Sequence, residues 1–306
     1  MTHKIAFVVP TKDRVKDLRI MLSSLAVQTR IPEQIIIVDG SNPPIKFLCE
    51  EFTDLPIEYI REFPPSLSRQ RNAGIAKLSN DITLAGYLDD DLELEKDAVE
   101  KMLDFWDRAE TSYGGAAFSI TNIDSPSGTK IKKWFGLDST EQGKVLPSGW
   151  VSMLGNTDVT MDVDWLCGGV TIWRRKIVDT YPYDEWFQGT GFLEDVDFSF
   201  NVRENFKLAL VAEAKVLHHQ HPILPDRYYL LGKWQIVNRH YFVRKYSHRG
   251  LSIFRAWLSS LSVILLNIFT GIKGRDINRF RCALGNISGI WIAVLNKDQK
   301  IKGYLK

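Results

Sequence analysis

Residues 82–91 read Ile-Thr-Leu-Ala-Gly-Tyr-Leu-Asp-Asp-Asp, an apolar run that ends in three consecutive carboxylates. The apolar part is long enough for a buried strand, which places the carboxylates at the edge of a sheet. Carboxylates crowded in a partly dry cleft repel one another, and a divalent cation that also binds phosphate reverses this cost. The alternative is a solvated acidic turn in which Asp91 caps a helix. The stretch therefore indicates an α/β fold and leaves a metal site and an acidic turn open.

The residues on both sides of this run alternate short apolar segments with helix-like segments, which is typical of a mostly parallel sheet flanked by helices. We predict strands at 5–9, 34–38, 57–60, 82–88 and 208–211, and helices at 15–29, 71–79 and 195–205. In such sheets ligands bind beyond the carboxyl ends of the strands. We therefore expect Pro10-Thr11, Asp39-Gly40-Ser41 and Asp89-Asp90-Asp91 to converge on one crevice.

The composition is that of a globular protein. The chain has 306 residues, of which 44% are hydrophobic and 25% are charged. Its three cysteines are widely spaced and form no Cys-x-x-Cys pair, which favours a reducing compartment over a disulfide framework. The strand-like Ile5-Ala6-Phe7-Val8-Val9 begins so early that no secretory leader is expected. We predict a cytoplasmic protein.

The net charge of +2 conceals an asymmetry along the chain. Residues 1–217 carry 24 Lys or Arg against 34 Asp or Glu, whereas residues 218–306 carry 15 against 3. Within the basic part, large apolar residues recur at helical spacing from Phe254 to Phe269, between Ser, Asn and Thr residues. This pattern suits a helix that lies at an anionic membrane surface, and we expect no nucleic-acid partner. The alternatives are a helix packed on the protein core and a short membrane-spanning helix.

Five motifs in a fixed order carry a resemblance to a known family. They are Val-Val-Pro-Thr-Lys-Asp-Arg (8–14), Ile-Val-Asp-Gly-Ser (37–41), Arg-Asn-Ala-Gly-Ile (71–75), Leu-Asp-Asp-Asp (88–91) and Phe-Leu-Glu-Asp-Val-Asp (192–197). With them, the first 220 or so residues resemble a family-2 glycosyltransferase with the GT-A fold, of the kind that builds bacterial cell-surface polysaccharides. The resemblance implies transfer of a sugar from a nucleotide diphosphate donor, most simply a UDP- or dTDP-sugar, with inversion at the anomeric carbon.

The resemblance also implies a domain division. A GT-A catalytic domain is expected over 1–222, with a nucleotide-sugar-binding half at about 1–107 and an acceptor half at about 108–222. A basic, amphipathic helical extension is expected over 223–306. The acceptor is then a glycan or a lipid-linked glycan, and the protein is expected to be peripheral on the inner face of the cell membrane.

The donor and metal residues are expected at the crevice. Asp39 suits a nucleobase edge or a ribose hydroxyl, and Arg71 at a helix start suits a phosphate. An Mn²⁺ or Mg²⁺ ion is expected on Asp91, with Asp89 and either His218 or His219 as further ligands, where it stabilises the leaving diphosphate. The predicted donor-binding residues are Pro10, Thr11, Arg14, Asp39, Ser41, Arg69, Arg71, Asn72, Asp89 and Asp90.

The acceptor side requires a base that takes a proton from the attacking hydroxyl. The family motif at the start of the 195–205 helix implies that Asp195 is this base and that Glu194 contacts the acceptor. Gly168-Gly169 removes side-chain bulk where the sugar approaches the backbone. The remaining acceptor candidates are Trp165 and Trp186, whose rings suit a sugar face.

Two other functions fit parts of the sequence. A nucleotidyltransferase also needs a metal and a nucleotide crevice, but it would carry a Gly- or Lys-rich triphosphate loop near the N-terminus, which this sequence lacks. A catalytically silent sugar-nucleotide-binding or membrane scaffold protein is the second alternative. Asp195 argues against it, because a silent relative has no need of a carboxylate at that position.

Overall fold

The computed structural model describes residues 3–124, 130–187 and 191–295. The chain divides into two compact units. One comprises Met1–Ser125 and Leu154–Gln220, and the other comprises Pro126–Met153 and His221–Lys306. We call them the sheet unit and the helical unit. The part of the expected helical extension beyond residue 295 lies outside the described residues.

The sheet unit contains all nine described strands. In chain order they are β1 (Ile5–Thr11), β2 (Gln34–Asp39), β3 (Ile57–Arg61), β4 (Leu84–Leu88), β5 (Leu92–Leu94), β6 (Tyr113–Ile120), β7 (Met161–Val163), β8 (Val170–Arg174) and β9 (Lys207–His218). They form one sheet of order β3-β2-β1-β4-β8-β6-β9-β5, with β7 paired to β9. The predicted strands at 5–9, 34–38 and 57–60 are present and each extends to include the next one or two residues.

The predicted sheet was mostly parallel, and this is correct for only half of it. Strands β3, β2, β1 and β4 are parallel, as are β6 and β9. The pairings β4–β8, β6–β8, β5–β9 and β7–β9 are antiparallel. The antiparallel strands matter for the site, because they bring residues distant in sequence back to the end of β4.

The α-helices of the described residues are α1 (Val15–Ala26), α2 (Lys46–Cys49), α3 (Leu67–Ile75), α4 (Ala98–Arg108), α5 (Lys130–Trp134), α6 (Arg175–Thr180), α7 (Glu194–Val202), α8 (Arg227–Lys245), α9 (Ile253–Gly274) and α10 (Ile277–Leu295). Helix α1 buries Leu18, Met21, Leu22 and Leu25, the apolar face expected from its sequence. Helix α3 differs from the prediction: it begins four residues before the predicted start at 71 and ends at Ile75.

The helical unit contains α5, α8, α9 and α10, and its core includes Leu137, Ile236, Val263 and Ala293. Residues 126–153 belong to the helical unit, although the expected acceptor half of the catalytic domain, at about 108–222, includes them. The contacts of these residues within the helical unit give the reason. The Arg239 guanidinium lies 3.6 Å from the centre of the Trp150 ring and donates a 3.1 Å hydrogen bond to the Gly149 carbonyl oxygen. Gly149 itself fits closely against Val243 and Arg239 of α8.

Candidate active site

The carboxyl ends of β1, β2 and β4 lie side by side, as the predicted crevice requires. Thr11 is in register with Asp39, because β1 and β2 are parallel neighbours. Strand β4 pairs with the other edge of β1 and ends at Leu88, directly before the three carboxylates. The carboxylates do not continue the strand: residues 90 and 91 form a turn between β4 and β5. Their side chains therefore do not alternate as an extended chain would.

Asp90 is held by two residues near the end of β1. The Thr11 hydroxyl donates a 2.7 Å hydrogen bond to Asp90 Oδ2, and Arg14 Nη1 lies 3.0 Å from Asp90 Oδ1. Burial raises the pKa of Asp90 to about 7, although Arg14 and Thr11 oppose the rise. Asp90 therefore fixes the turn to β1 and has no free oxygen facing the crevice, and Thr11 and Arg14 act here as its partners.

Asp91 and His218 meet at the same turn. His218 Nε2 lies 3.1 Å from Asp91 Oδ1, because Leu92 of β5 is in register with His218 of β9. Arg14 Nη1 donates a 2.7 Å hydrogen bond to Asp91 Oδ2. Burial alone would raise the pKa of Asp91, but His218 and Arg14 outweigh it and hold the pKa below its usual range. The bond to Asp91 in turn raises the pKa of His218.

The second histidine candidate faces elsewhere. His219 Nε2 lies 2.9 Å from Glu93 Oε2, and only its backbone N–H reaches Asp91, at the carbonyl oxygen. Among the described residues there is no group of three or more His, Cys, Asp or Glu side chains arranged to hold a metal ion. The donors that do lie together are Asp91 and His218. This pair suits a cation that takes its remaining ligands from phosphate and water, as Mg²⁺ commonly does.

Arg71 lies inside the protein, in the middle of α3, and not at a helix start as predicted. Its side chain is 2% exposed. Arg71 Nη1 donates a 3.0 Å hydrogen bond to Glu194 Oε1, and Nη2 lies 3.3 Å from Asp89 Oδ1. The guanidinium therefore joins the first carboxylate of the turn to the acidic start of α7. In this position it neutralises protein carboxylates, and a phosphate would have to compete with them.

Gly168 and Gly169, directly before β8, are required because the side chains of Arg71 and Asp89 leave no room for a Cβ atom. The Asp89 amide donates a 2.9 Å hydrogen bond to the Gly169 carbonyl oxygen. A Cβ atom on Gly169 would lie 2.0 Å from the Asp89 carboxyl carbon, and one on Gly168 would lie 2.7 Å from Arg71 Nη1. The predicted reason for both glycines is the approach of a sugar, but these contacts require them without any substrate.

Asp195 is the second residue of α7 and keeps part of its side chain exposed. Its Oδ2 accepts a 3.1 Å hydrogen bond from the Gly168 amide, and its Oδ1 accepts one of 2.8 Å from the Val196 amide. Loss of hydration, followed by the neighbouring charge of Glu194, raises the pKa of Asp195 to about 7. A carboxylate aligned by two amides, with a pKa near neutrality, suits a general base.

The loop before α7 has an unusual backbone. Gly191, Phe192 and Leu193 have φ angles of 77°, 103° and 72°. Positive φ is strained for bulky residues such as Phe and Leu. The loop wraps around Glu194, whose Oε2 accepts a 2.7 Å hydrogen bond from the Phe192 amide. The hydrogen bonds of Glu194 to Arg71 and to the Phe192 amide offset this strain and fix the first turn of α7, where Asp195 lies.

Asp39 is fully buried at the end of β2. Its Oδ1 accepts a hydrogen bond from the Ser41 amide, and its Oδ2 accepts bonds from the Ile45 amide and the Tyr59 hydroxyl. Burial alone would raise the pKa of Asp39, but these bonds outweigh it and hold the pKa below its usual range. Arg61 Nη1 lies 3.6 Å away. Both carboxylate oxygens of Asp39 therefore have protein partners.

Sequence reasoning missed the partners of Asp39 and the aromatic surround of Arg71. Tyr59 and Arg61 lie at the end of β3, which is a parallel neighbour of β2. With the register of these two strands known, both residues could have been predicted as partners of Asp39. Tyr183 was not predictable in this way: its ring lies 4.9 Å from the Arg71 guanidinium, although the two residues are far apart in the sequence.

Five predicted binding residues are buried or have other protein groups as partners. Arg69 donates to the Pro64 carbonyl oxygen and pairs with Glu62, so it does not support Arg71. Asn72 bonds to the backbone of Tyr183 and joins α3 to that loop. Trp165 and Trp186 are 4% and 8% exposed, because both rings pack in the interior, and neither presents an open face to a sugar. Pro10 is buried within β1.

Comparison with known proteins decides the family. The family model described as Glycosyl transferase family 2 matches residues 6–157. Residues 6–157, just under half of the chain, therefore form a family-2 glycosyltransferase domain. A curated relative, the O-antigen biosynthesis protein RfbC of Myxococcus xanthus, is 23% identical over 227 residues. These residues are 72% of the present chain, and they span 17% of the length of the relative.

Solved structures show the same fold. S. aureus TarS 1–349 in complex with UDP-GlcNAc superposes with a TM-score of 0.52 at 12% identity, covering 93% of this chain and 91% of that one. The complex with UDP gives 0.52 at 13% identity, with the same coverage. A further TarS structure gives 0.51 at 14% identity and covers 92% of this chain and 55% of that one. The predicted GT-A class, with a sheet flanked by helices and a C-terminal helical region, is confirmed.

Proposed function

We propose that this glycosyltransferase moves a sugar from a nucleotide diphosphate to a hydroxyl group, with inversion and with Asp195 as the base. The observation that carries the proposal is the alignment of Asp195. Its two oxygens are oriented by the amides of Gly168 and Val196, and its helix start is joined through Arg71 to the end of β4, where the donor crevice lies.

The proposed step is a single displacement. The acceptor oxygen attacks the anomeric carbon, and its proton passes to a carboxylate oxygen of Asp195. The bond between the anomeric carbon and the diphosphate oxygen breaks, and its electron pair leaves with the nucleoside diphosphate. Attack from the face opposite the leaving group inverts the anomeric centre. Glu194 is turned to Arg71 and Phe192, so its role is to hold the helix start that presents Asp195.

A divalent metal fits the donor side on grounds of charge. Asp89, Asp90, Asp91, Glu194 and Asp195 are five carboxyl groups, and the cations that contact them are Arg14, Arg71 and His218. A diphosphate would add further negative charge. We propose that Asp91 and His218 hold an Mn²⁺ or Mg²⁺ ion. When bound, such an ion stabilises the negative charge on the leaving diphosphate.

The donor is proposed to be a UDP-sugar. Asp39, held in its ionised form by Tyr59 and the Ser41 amide at the carboxyl end of β2, is proposed to accept a hydrogen bond from an N–H or O–H group of the nucleoside. The structures of TarS with UDP and with UDP-GlcNAc share this fold, which supports a uridine nucleotide. A dTDP-sugar carries the same imide N–H group and is the second donor to test.

The acceptor and the location are proposed from the helical unit and the relative. RfbC is described as an O-antigen biosynthesis protein, and we propose a cell-surface glycan or lipid-linked glycan as the acceptor. We further propose that donor binding and catalysis belong to the sheet unit and that the basic helical unit docks on the anionic inner face of the membrane. Among the described residues, α9 alone has the length and composition to cross a bilayer.

The test is a calorimetric titration of the purified protein with UDP, dTDP and GDP, each with and without Mn²⁺, followed by single-turnover transfer from the preferred sugar nucleotide. The proposal predicts metal-dependent binding of UDP that is lost in Asp91→Ala. Asp179→Ala, which removes an exposed surface carboxylate, is the matched control. Binding of UDP that is equally tight without metal, or unchanged in Asp91→Ala, would contradict the assigned metal site.

A further inference from the structure

Helix α9 exposes large apolar residues and buries small or polar ones, the reverse of a helix packed on the core of a water-soluble protein. The residues that face the interior of the helical unit are mostly small or polar. They include Ala256, Ser259, Ser260, Asn267 and Gly271. The residues on the opposite face are bulky, apolar and 43–76% exposed, namely Phe254, Leu258, Leu261, Leu265, Phe269 and Ile272. We call the second set the outer stripe. Its members recur at spacings of three and four, so they lie along one side of the helix.

The packing between α9, α10 and α8 uses contacts that do not depend on the exclusion of water. Asn267 Nδ2 donates a 2.9 Å hydrogen bond to Asn286 Oδ1, and Asn286 Nδ2 donates one of 2.8 Å to the Gly232 carbonyl oxygen. A Cβ atom on Gly232 would lie 2.1 Å from the Cys282 carbonyl oxygen, so the backbones of α8 and α10 approach closely. Small residues and polar side chains between helices, with apolar residues outside, are typical of helices in contact with lipid.

A cavity of about 430 Å³ lies beside the outer stripe, within the helical unit. Lys133 and Arg255 line it together with the apolar side chains of Phe135 and Leu258. Leu258 also belongs to the outer stripe, so the cavity opens directly onto that surface. The lining contains one acidic residue, Asp138, whose Oδ1 accepts a 2.8 Å hydrogen bond from the Ser139 amide.

The two cations of the cavity form no ion pair among the described residues. Lys133 Nζ donates a 2.9 Å hydrogen bond to the Thr140 hydroxyl, and neither Lys133 nor Arg255 forms an ion pair with a carboxylate in the part of the chain that the structure describes. They come from different elements, α5 and α9. A phosphate group, with oxygens facing several directions, can accept from both. The cavity therefore has two cations that can bind an anion, and it opens onto an apolar surface.

Exposed aromatic residues flank the same cavity. Trp134 lines it and is 81% exposed, and Phe254, adjacent to Arg255, is 76% exposed. Aromatic rings beside Lys and Arg are typical of the layer where lipid headgroups meet water. The charge of the cavity complements an anionic headgroup, and the stripe complements acyl chains. A second copy of the chain would match the stripe but would leave the two cations without a partner.

We propose that this cavity binds the terminal phosphate of a membrane lipid, with Lys133 and Arg255 on the phosphate and the lipid chain along the outer stripe. The inference extends the proposed docking of the helical unit on the membrane. It predicts selectivity for a lipid with an accessible terminal phosphate over other anionic lipids. Such a headgroup is what a lipid-phosphate-linked acceptor would present.

The test is flotation of the full-length protein with phosphatidylcholine vesicles that contain dioleoylphosphatidic acid, or phosphatidylglycerol at matched surface charge. Wild type should bind the phosphatidic acid vesicles more tightly. Arg255→Ala and Lys133→Ala should each weaken that binding by about fivefold, the usual effect of one cation at a membrane surface, and should remove the preference over phosphatidylglycerol. Lys273→Ala, an exposed cation of α9 away from the cavity, is the matched control and should keep the preference.

Three results would overturn the proposal. Equal loss for both lipids in Arg255→Ala would mean bulk electrostatics without a phosphate site. Tight calorimetric binding of inorganic phosphate without flotation would mean a site for a free anion. A dimer that dissociates in Leu265→Ser, again without flotation, would mean that the stripe binds a second copy. UDP titration of each variant reports the donor site separately, so a failure of the proposed glycosyl transfer is distinguishable from a failure of the lipid site.

Discussion

The two units of this protein bury polar groups in different ways. In the sheet unit several buried polar side chains are charged and paired with opposite charges, as with Arg71, Asp91 and Glu194. In the helical unit many are neutral, as with Ser259, Ser260 and Asn286. Arg239 is an exception there, and carbonyl oxygens and the Trp150 ring take the place of a carboxylate.

The outer surfaces of the two units also differ in how many large apolar residues they expose. The sheet unit buries its large apolar residues in strands that are almost wholly inaccessible, including β1 and β2. The helical unit exposes the outer stripe of α9 and, on α10, Leu284, Trp291 and Leu295. Charged networks suit chemistry on a phosphate donor in a crevice, whereas an apolar exterior over a neutral interior suits contact with lipid. Each of the following predictions tests one side of this comparison.

The largest effect is expected at the proposed base. Asp195→Asn keeps the shape of the side chain but removes proton acceptance, and we expect the rate of transfer to fall by about 10²–10⁴. UDP binding should be unchanged, because the donor crevice is intact. Single-turnover kinetics and calorimetry measure the two quantities. Asp179→Asn, on the exposed face of α6, is the control, and a variant with near wild-type turnover would exclude Asp195 as the base.

Substitution of each of the two histidines distinguishes a ligand of the proposed metal site from a residue that only lies near it. His218→Ala removes the side chain beside Asp91, and we expect the apparent affinity for Mn²⁺ in the presence of UDP to fall by about 10–100-fold. His219→Ala, whose partner is Glu93, should change it little. Metal titrations monitored by UDP binding provide the comparison. The assignment is wrong if His219→Ala has the larger effect.

Glycine substitutions test how tightly the charged network is packed. Gly169→Ala would place a methyl group on the Asp89 carboxyl group, and we expect a loss of stability of about 1–3 kcal/mol together with lower activity. Gly274→Ala at the end of α9 has no neighbour closer than 4.0 Å and should not destabilise the protein. Thermal unfolding of both variants measures the difference. Similar melting temperatures would show that the network adapts easily.

The pH dependence of transfer should report Asp195. The base works as the carboxylate, and its pKa is raised to about 7, so activity should fall as the pH drops below that value. Below the pKa the expected slope is a tenfold loss per pH unit. The measurement is kcat/KM against pH with an acceptor that does not titrate in this range. Constant activity through mildly acidic pH would mean that the carboxyl titrates at its ordinary, lower pKa.

The smallest effect is expected on the outer stripe. Leu265→Ser alters a side chain that is 66% exposed, so the free energy of unfolding should change by less than about 0.5 kcal/mol while vesicle binding weakens. Ile236→Ala, in the core of the same unit, should cost about 2–5 kcal/mol. Chemical denaturation and flotation measure the two properties. A large loss of stability in Leu265→Ser would show that the stripe is part of the packed core.

Much of the sheet unit was predictable because its information is local. Apolar runs at 5–9, 34–38 and 57–60 set the strands, and motifs directly after the strands set the positions of Thr11, Asp39 and the three aspartates. The same holds for α9, whose apolar periodicity predicts a long helix. The choice between a helix packed on the protein core and a helix at a membrane surface is not local, because it depends on which face of α9 packs inward.

What the sequence determined by itself was the fold class, the family, and the order in which acidic motifs meet the ends of strands. Tertiary structure alone decided the pairings of these motifs. Arg71 was expected to meet a phosphate but lies between Asp89 and Glu194, and His218 rather than His219 meets Asp91 because of the register of β5 with β9. The physical reason is that strand propensity depends on neighbouring residues, whereas register and charge pairing depend on segments that can be more than a hundred residues apart in the chain, as Arg71 and Glu194 are.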